Sequence, residues 1–198
     1  MTIFSLKPTK KIAQRQLELR ARLFPGITEA HLWNRKTHHG FTTIPRTLPL
    51  IMSILDDLAG MPVGSTYLEL WCRSFDEAFV TLSKPREIAF HSGSTGQRQE
   101  STWRSKIKKL HELGFIEVAE GSAGIYSYAL ILNPYLVIRR LFTVGGSHIP
   151  VDKYNALIDR AIEISAGDMD MPDPWAPVPD VPAAPVLPTP VAAVPDKA

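Results

Sequence analysis

The 198-residue sequence predicts a mainly helical α+β chain with one small β-hairpin. Apolar residues return at helical spacing in segments near 47–60, 97–113, 134–142 and 151–162, long enough for core helices. Between the second and third of these, Phe115–Val118 and Ile125–Leu132 flank a Gly-containing turn, the pattern of a hairpin. Nine of the 17 prolines lie between Pro172 and Pro195, so the last part of the chain cannot join that core.

The elements follow in order. Residues 9–23 form a basic helix in which Ile12, Leu17, Leu19 and Leu23 alternate with Lys11, Arg15, Arg20 and Arg22, stopped by Pro25-Gly26. A loop carrying Trp33, Arg35, Lys36, His38 and His39 leads to Thr47, a candidate N-cap, with Pro49 in the first turn. Leu48, Ile51, Met52, Leu55 and Leu58 then make one apolar stripe ending at Gly60. Thr66 and Glu69 have capping-box spacing, and Leu68, Trp71, Cys72 and Phe75 are expected on the inner face of the next helix. Phe79–Leu82 is a short strand, and Ser83 is expected to cap a short helix with Ile88 and Ala89 facing inward. The turn at residues 91–96 precedes a helix, about 97–113, with Trp103, Ile107 and Leu110 on its apolar side and Gly114 as left-handed cap. After the hairpin, Asn133 caps and Pro134 starts a helix to about Phe142. Val151, Tyr154, Ile158, Ala161 and Ile162 stripe a final helix, which Gly167 is expected to close.

The net charge of +2 conceals a division. Residues 1–50 hold nine basic residues against two acidic ones, a local +7, whereas residues 165–198 hold one lysine against five aspartates, a local −4. Such an acidic Pro/Ala-rich tail should be extended and disordered. Segment 84–113 carries seven basic and three acidic residues, a local +4, concentrated on a helix narrow enough for the major groove, about 12 Å wide. Along its polar face lie Arg98, Gln99, Ser101, Thr102, Arg104, Ser105, Lys108 and Lys109. Gln99 and Arg104 suit bidentate contacts to adenine and guanine, and Ser101, Thr102 and Ser105 are short enough to allow close approach. Lys106, Lys108 and Lys109 suit phosphates, Ser94 and Thr95 could offer backbone N–H groups there, and Arg35 and Lys36 add charge from the loop. The hairpin tip lacks Lys and Arg, leaving Ser122 for hydroxyl contacts.

Helix, short strand, short helix, turn, longer basic helix and hairpin is the order of a winged-helix domain, a helix-turn-helix variant. The run from Thr102 to Ile116, with its Leu113-Gly114-Phe115-Ile116 step, resembles the junction of recognition helix and wing in bacterial winged-helix regulators. Leu82–Ala89 resembles the preceding helix, and Tyr128–Ile138 with its Asn133-Pro134 step is similar to the domain end in some plasmid replication proteins. The resemblance covers roughly residues 47–133. It divides the chain into a basic arm and loop, 1–45, a winged-helix DNA-binding domain, 46–146, an amphipathic helix, 147–166, and the tail, 167–198.

Other chemistry finds no anchor. His31, His38, His39 and Cys72 lack ligand spacing, residues 93–97 lack the Lys-Ser/Thr pair of a phosphate-binding loop, and adjacent Asp56 and Asp57 point to different sides of a helix. The single cysteine excludes an intramolecular disulfide and fits a reducing cytosol. Lys7, Lys10 and Lys11 precede no apolar leader segment, and the longest apolar run is broken at Asn133-Pro134, so neither secretion nor a membrane span is expected. Trp71 and Trp103 belong to apolar stripes, whereas Trp33 and Trp175 stand outside them as partner-contact candidates. The expectation is a non-enzymatic, cytoplasmic, nucleoid- or plasmid-associated protein that binds double-stranded DNA and needs no cofactor or metal. A bacterial or plasmid-borne transcriptional regulator is the first reading, a replication or partition protein of a mobile element the second, and an interaction scaffold without DNA the third. The stripe of Val151–Ser165 permits a two-fold homodimer or packing on its own domain; the tail's partner is open.

Overall fold

The computed structural model describes residues 8–35, 39–75, 77–144 and 149–176. Its elements are α1 (Pro8–Leu23), α2 (Leu48–Ala59), α3 (Gly64–Arg73), β1 (Phe79–Thr81), α4 (Pro85–His91), α5 (Gln99–Glu112), β2 (Ile116–Gly121), β3 (Gly124–Ile131), α6 (Pro134–Val144) and α7 (Val151–Glu163). Short 3-10 turns occupy Glu29–His31 and Gly167–Asp170. Among the described residues the sheet is three-stranded and antiparallel in the order β1-β3-β2. Val80 and Val118 both lie opposite Ala129, and Ile116 opposite Ile131, so one sheet face enters the core. Helices cover that face: Ile51, Ile54 and Leu55 of α2, Tyr67 and Leu70 of α3, Ile88 of α4, and Trp103, Ile107 and Leu110 of α5 are all buried. Tyr135 and Ile138 of α6 and Leu157 of α7 close the cluster.

Helix starts depart from the sequence expectation because distant side chains reach them first. The Thr47 hydroxyl does not cap α2; it hydrogen-bonds the Tyr135 hydroxyl, tying α2 to α6. Nor do Thr66 and Glu69 form a capping box. α3 begins earlier, because Asp56 Oδ1 accepts the N–H groups of Val63 and Gly64, each at 2.7 Å. Gly64 belongs there: an added Cβ would stand 3.0 Å from Met52 Cβ, so its absence lets α2 and α3 approach. α3 turns Thr66, Tyr67 and Leu70 fully inward; Leu68 and Trp71, expected on the inner face, are half-buried against the same core, whereas Cys72 and Phe75, also expected there, are exposed. Ser83 does not cap α4, whose N-cap position is Lys84.

Asn133 behaves as expected, its Oδ1 accepting the Tyr135 N–H at 3.0 Å at the start of α6. α7 turns Tyr154, Leu157 and Ala161 inward, stacks Tyr154 on Phe142 with centroids 3.7 Å apart, and donates from Lys153 to Ser53 at 2.7 Å. Of the two arrangements open to this helix, packing on its own domain is the one observed; Val151 and Ile162 remain exposed. Left-handed Ser165, with φ of 56°, follows α7 in place of Gly167. The expected disorder does not begin at residue 167 either. Arg139 donates to the Met169 carbonyl, and the Arg140 guanidinium lies 5.3 Å from the Trp175 ring centroid, so Met169 and Trp175 are held at α6; 177–198 are outside the described residues. Among the described residues no helix is long and apolar enough to cross a membrane.

Candidate nucleic-acid interface

The connection from α4 to α5 is built for a sharp change of direction. Gly93 and Gly96 take φ of 81° and 83°, a region L side chains avoid, and the Ser94 N–H returns to the Ala89 carbonyl at 2.9 Å. That bond removes the Ser94 amide as a phosphate donor, and its buried hydroxyl finds no partner among the described residues. Thr95 stays exposed.

α5 is fixed from below by Trp103, Ile107 and Leu110, and the residues opposite them form its outer face. Arg98, Ser101, Ser105 and Lys108 follow one another along that face, with Thr102 on its flank, and all five are exposed. The hydroxyls turn back onto the helix, Ser101 to the Arg98 carbonyl at 2.9 Å and Ser105 to the Ser101 carbonyl at 3.1 Å. The middle of the face is therefore low and its two ends are cationic.

Other expected readers are placed differently. Lys106 is 7% exposed, on the side of the helix between the core and Lys109, so it cannot project to a phosphate as an open side chain. Arg104 is half-buried and engages Glu100 Oε1 through Nε at 3.1 Å and Nη2 at 2.9 Å. Lys108 and Lys109 share Glu112 at 3.6 and 3.8 Å. Gln99 is half-buried in an open cleft between α4 and α5 that also involves Lys84, Arg86 and Phe90. Arg86 and Phe90 are exposed in that cleft and were not among the expected readers; an outward-facing aromatic in a short basic helix was the available signal. Below them Glu87 meets Arg73 and Lys84. The hydrogen bond from Arg73, with Lys84 beside it, holds the Glu87 carboxyl below its ordinary range, so this anion persists beside the cleft.

Ser122 is exposed at the hairpin tip, where the Ser127 hydroxyl stabilises the turn by accepting from the Ala123 N–H at 3.0 Å. The flanking β2 residues Glu117 and Glu120 are exposed, so the hairpin presents acids rather than cations. Arg35 is exposed in its loop, far in sequence from α5, and Lys36 lies outside the described residues. The structure thus gathers Arg98, Ser101, Thr102, Ser105 and Lys108 on one face, sets Arg104 and Lys109 at its margins, pairs Arg104 with Glu100 and both lysines with Glu112, and withdraws Lys106 and Ser94. Comparison of the chain with protein-family models, curated proteins and solved structures finds no match.

Proposed function

We propose that the chain is a winged-helix protein that binds double-stranded DNA through α5, in the manner of a transcriptional regulator. The observation that carries this reading is the outer face of α5, where small Ser101 and Ser105 lie between Arg98 and Lys108. A helix entering the major groove needs low relief at its centre and cations at its margins for the two phosphate strands. The order α3, β1, α4, α5 and hairpin supports it, as does the pairing of β1 with β3, which couples the two-helix corner to the hairpin. Arg86 and the half-buried Gln99 extend the surface into the cleft beside α4. The acidic hairpin limits itself to the Ser122 tip, and the groove helix carries the binding.

The test is a set of binding isotherms on a randomised duplex pool and on matching single strands at several salt concentrations. Duplex binding that weakens with salt, together with enrichment of one sequence, is the expected result. Equal retention of single strands, or none of duplex, would overturn the reading. Mapping the enriched sequence onto the encoding DNA then assigns the role: one site beside a promoter for a regulator, an array of repeats for a replication or partition protein.

A further inference from the structure

Two apolar surfaces of this chain remain open. One is on α1, where Ile12, Leu19 and Leu23 repeat at spacings of seven and four residues and so share a stripe; Ile12 and Leu23 are each 58% exposed. Every residue from Lys11 to Leu19 is exposed, as is Leu23, so the stripe is left open among the described residues. A helix of 16 residues without tertiary support is marginal in water, and this one needs a surface to lie on. The other is a cleft of about 660 Å³ between the segment preceding α2 and the end of α3, lined by Phe41, Ile44, Cys72 and Phe75. Phe75 is 84% exposed, and Phe41 and Ile44 are also exposed.

Charge selects the match. Lys11, Arg15 and Arg22 are exposed beside the α1 stripe, with Arg20 on its other flank. Two α1 helices paired in parallel along this stripe would set Arg15 and Arg22 against the partner's Arg20, so α1 does not suit its own copy. The cleft lining contains no Lys or Arg, and Phe75 is followed in sequence by Asp76 and Glu77. An apolar stripe with basic flanks therefore meets an apolar cleft whose Phe75 rim is followed two residues on by exposed Glu77, and both surfaces belong to the same chain while neither covers the other among the described residues.

We propose that two copies exchange arms, the Ile12-Leu19-Leu23 stripe of each α1 seating on the Phe41-Ile44-Phe75 cleft of the other. The interface is two-fold and closed, since each copy gives one arm and accepts one. It does not depend on the DNA reading, because the stripe and cleft are apolar surfaces that a phosphate backbone does not use.

Sedimentation of the full chain and of two full-length variants, Leu19→Asp in the arm and Phe75→Asp in the cleft, tests it; both positions are exposed, and thermal melts check that the variants fold. The full chain should be dimeric, and each variant alone should dissociate at least about tenfold more readily. An equimolar mixture of the two should recover a heterodimer, because the intact arm of one meets the intact cleft of the other. In the unaltered chain, alkylation of Cys72, the only thiol, should slow as protein concentration rises. A full chain that is monomeric at every concentration would place the arm on its own cleft or on nothing and overturn the proposal. A Phe75→Asp chain that dimerises like the parent, a mixture that stays monomeric, or Cys72 alkylation independent of concentration would overturn it equally.

Discussion

Tyr67 is fully buried, yet neither its hydroxyl nor the Trp71 indole N–H has a hydrogen-bond partner among the described residues. Tyr67→Phe should therefore be neutral or stabilising by about 1 kcal/mol in a denaturant melt, since it removes a polar atom without solvation. Burial pushes the Tyr67 hydroxyl well above the ordinary tyrosine range. A folded-state pKa raised in this way leaves stability intact below the unfolded value, about 10, and lowers it as pH rises further. Melts at about pH 8 and pH 11 should show a smaller alkaline loss for Tyr67→Phe than for the parent. Trp103, also fully buried, anchors α5; Trp103→Ala should cost about 3–5 kcal/mol. Lys106 and Lys108 are close in sequence but should separate in experiment. Lys108→Ala should weaken all duplexes alike and flatten the salt slope by about one, whereas buried Lys106→Ala should lower the melting temperature and leave the slope alone.

At the scale of elements, the start of α3 depends on one carboxylate of α2. Asp56→Ala removes the acceptor of two backbone N–H groups and should cost about 1–2 kcal/mol, read as a fall in denaturant midpoint with unchanged m value. The hairpin offers a test of opposite sign. Glu117 and Glu120 are exposed on β2, so Glu117→Lys with Glu120→Lys should raise duplex affinity and steepen the salt slope, by up to about two if both positions approach phosphates. An unchanged isotherm would mean that β2 stands away from the duplex.

For the whole molecule, the C-terminal boundary matters. Asn133 Nδ2 approaches Asp168 at 3.4 Å, Arg139 binds the Met169 carbonyl, and Arg140 faces Trp175. A chain ending at Ala176 should melt as the full chain does, whereas one ending at Ala166 should melt lower, by about 2–4 °C for each kcal/mol lost. Equal melting of both would show that these contacts contribute nothing.

Which segments become helices and strands was legible along the chain, because local periodicity, Pro at helix starts and left-handed Gly60 and Gly114 act within a few residues. Local spacing also placed Trp103, Ile107 and Leu110 inside and the hairpin turn between Gly121 and Gly124. Tertiary structure alone decided what depends on groups distant along the chain. Asp56 reaching Val63 and Gly64 fixed the start of α3, where Tyr67 is fully buried and Trp71 packs half-buried on the same face, and Tyr135 drew the Thr47 hydroxyl away from α2. The candidate interface divides in the same way. The polar face of α5 was legible from spacing, and the four-residue separation of Glu100 and Arg104 was a local signal for their pair, whereas the withdrawal of Lys106 and Ser94 and the emergence of Arg86 and Phe90 were not legible. Helical periodicity gives the direction of a side chain from its own axis, but whether that direction meets water, an acid or a neighbouring helix is set by packing between elements far apart in sequence.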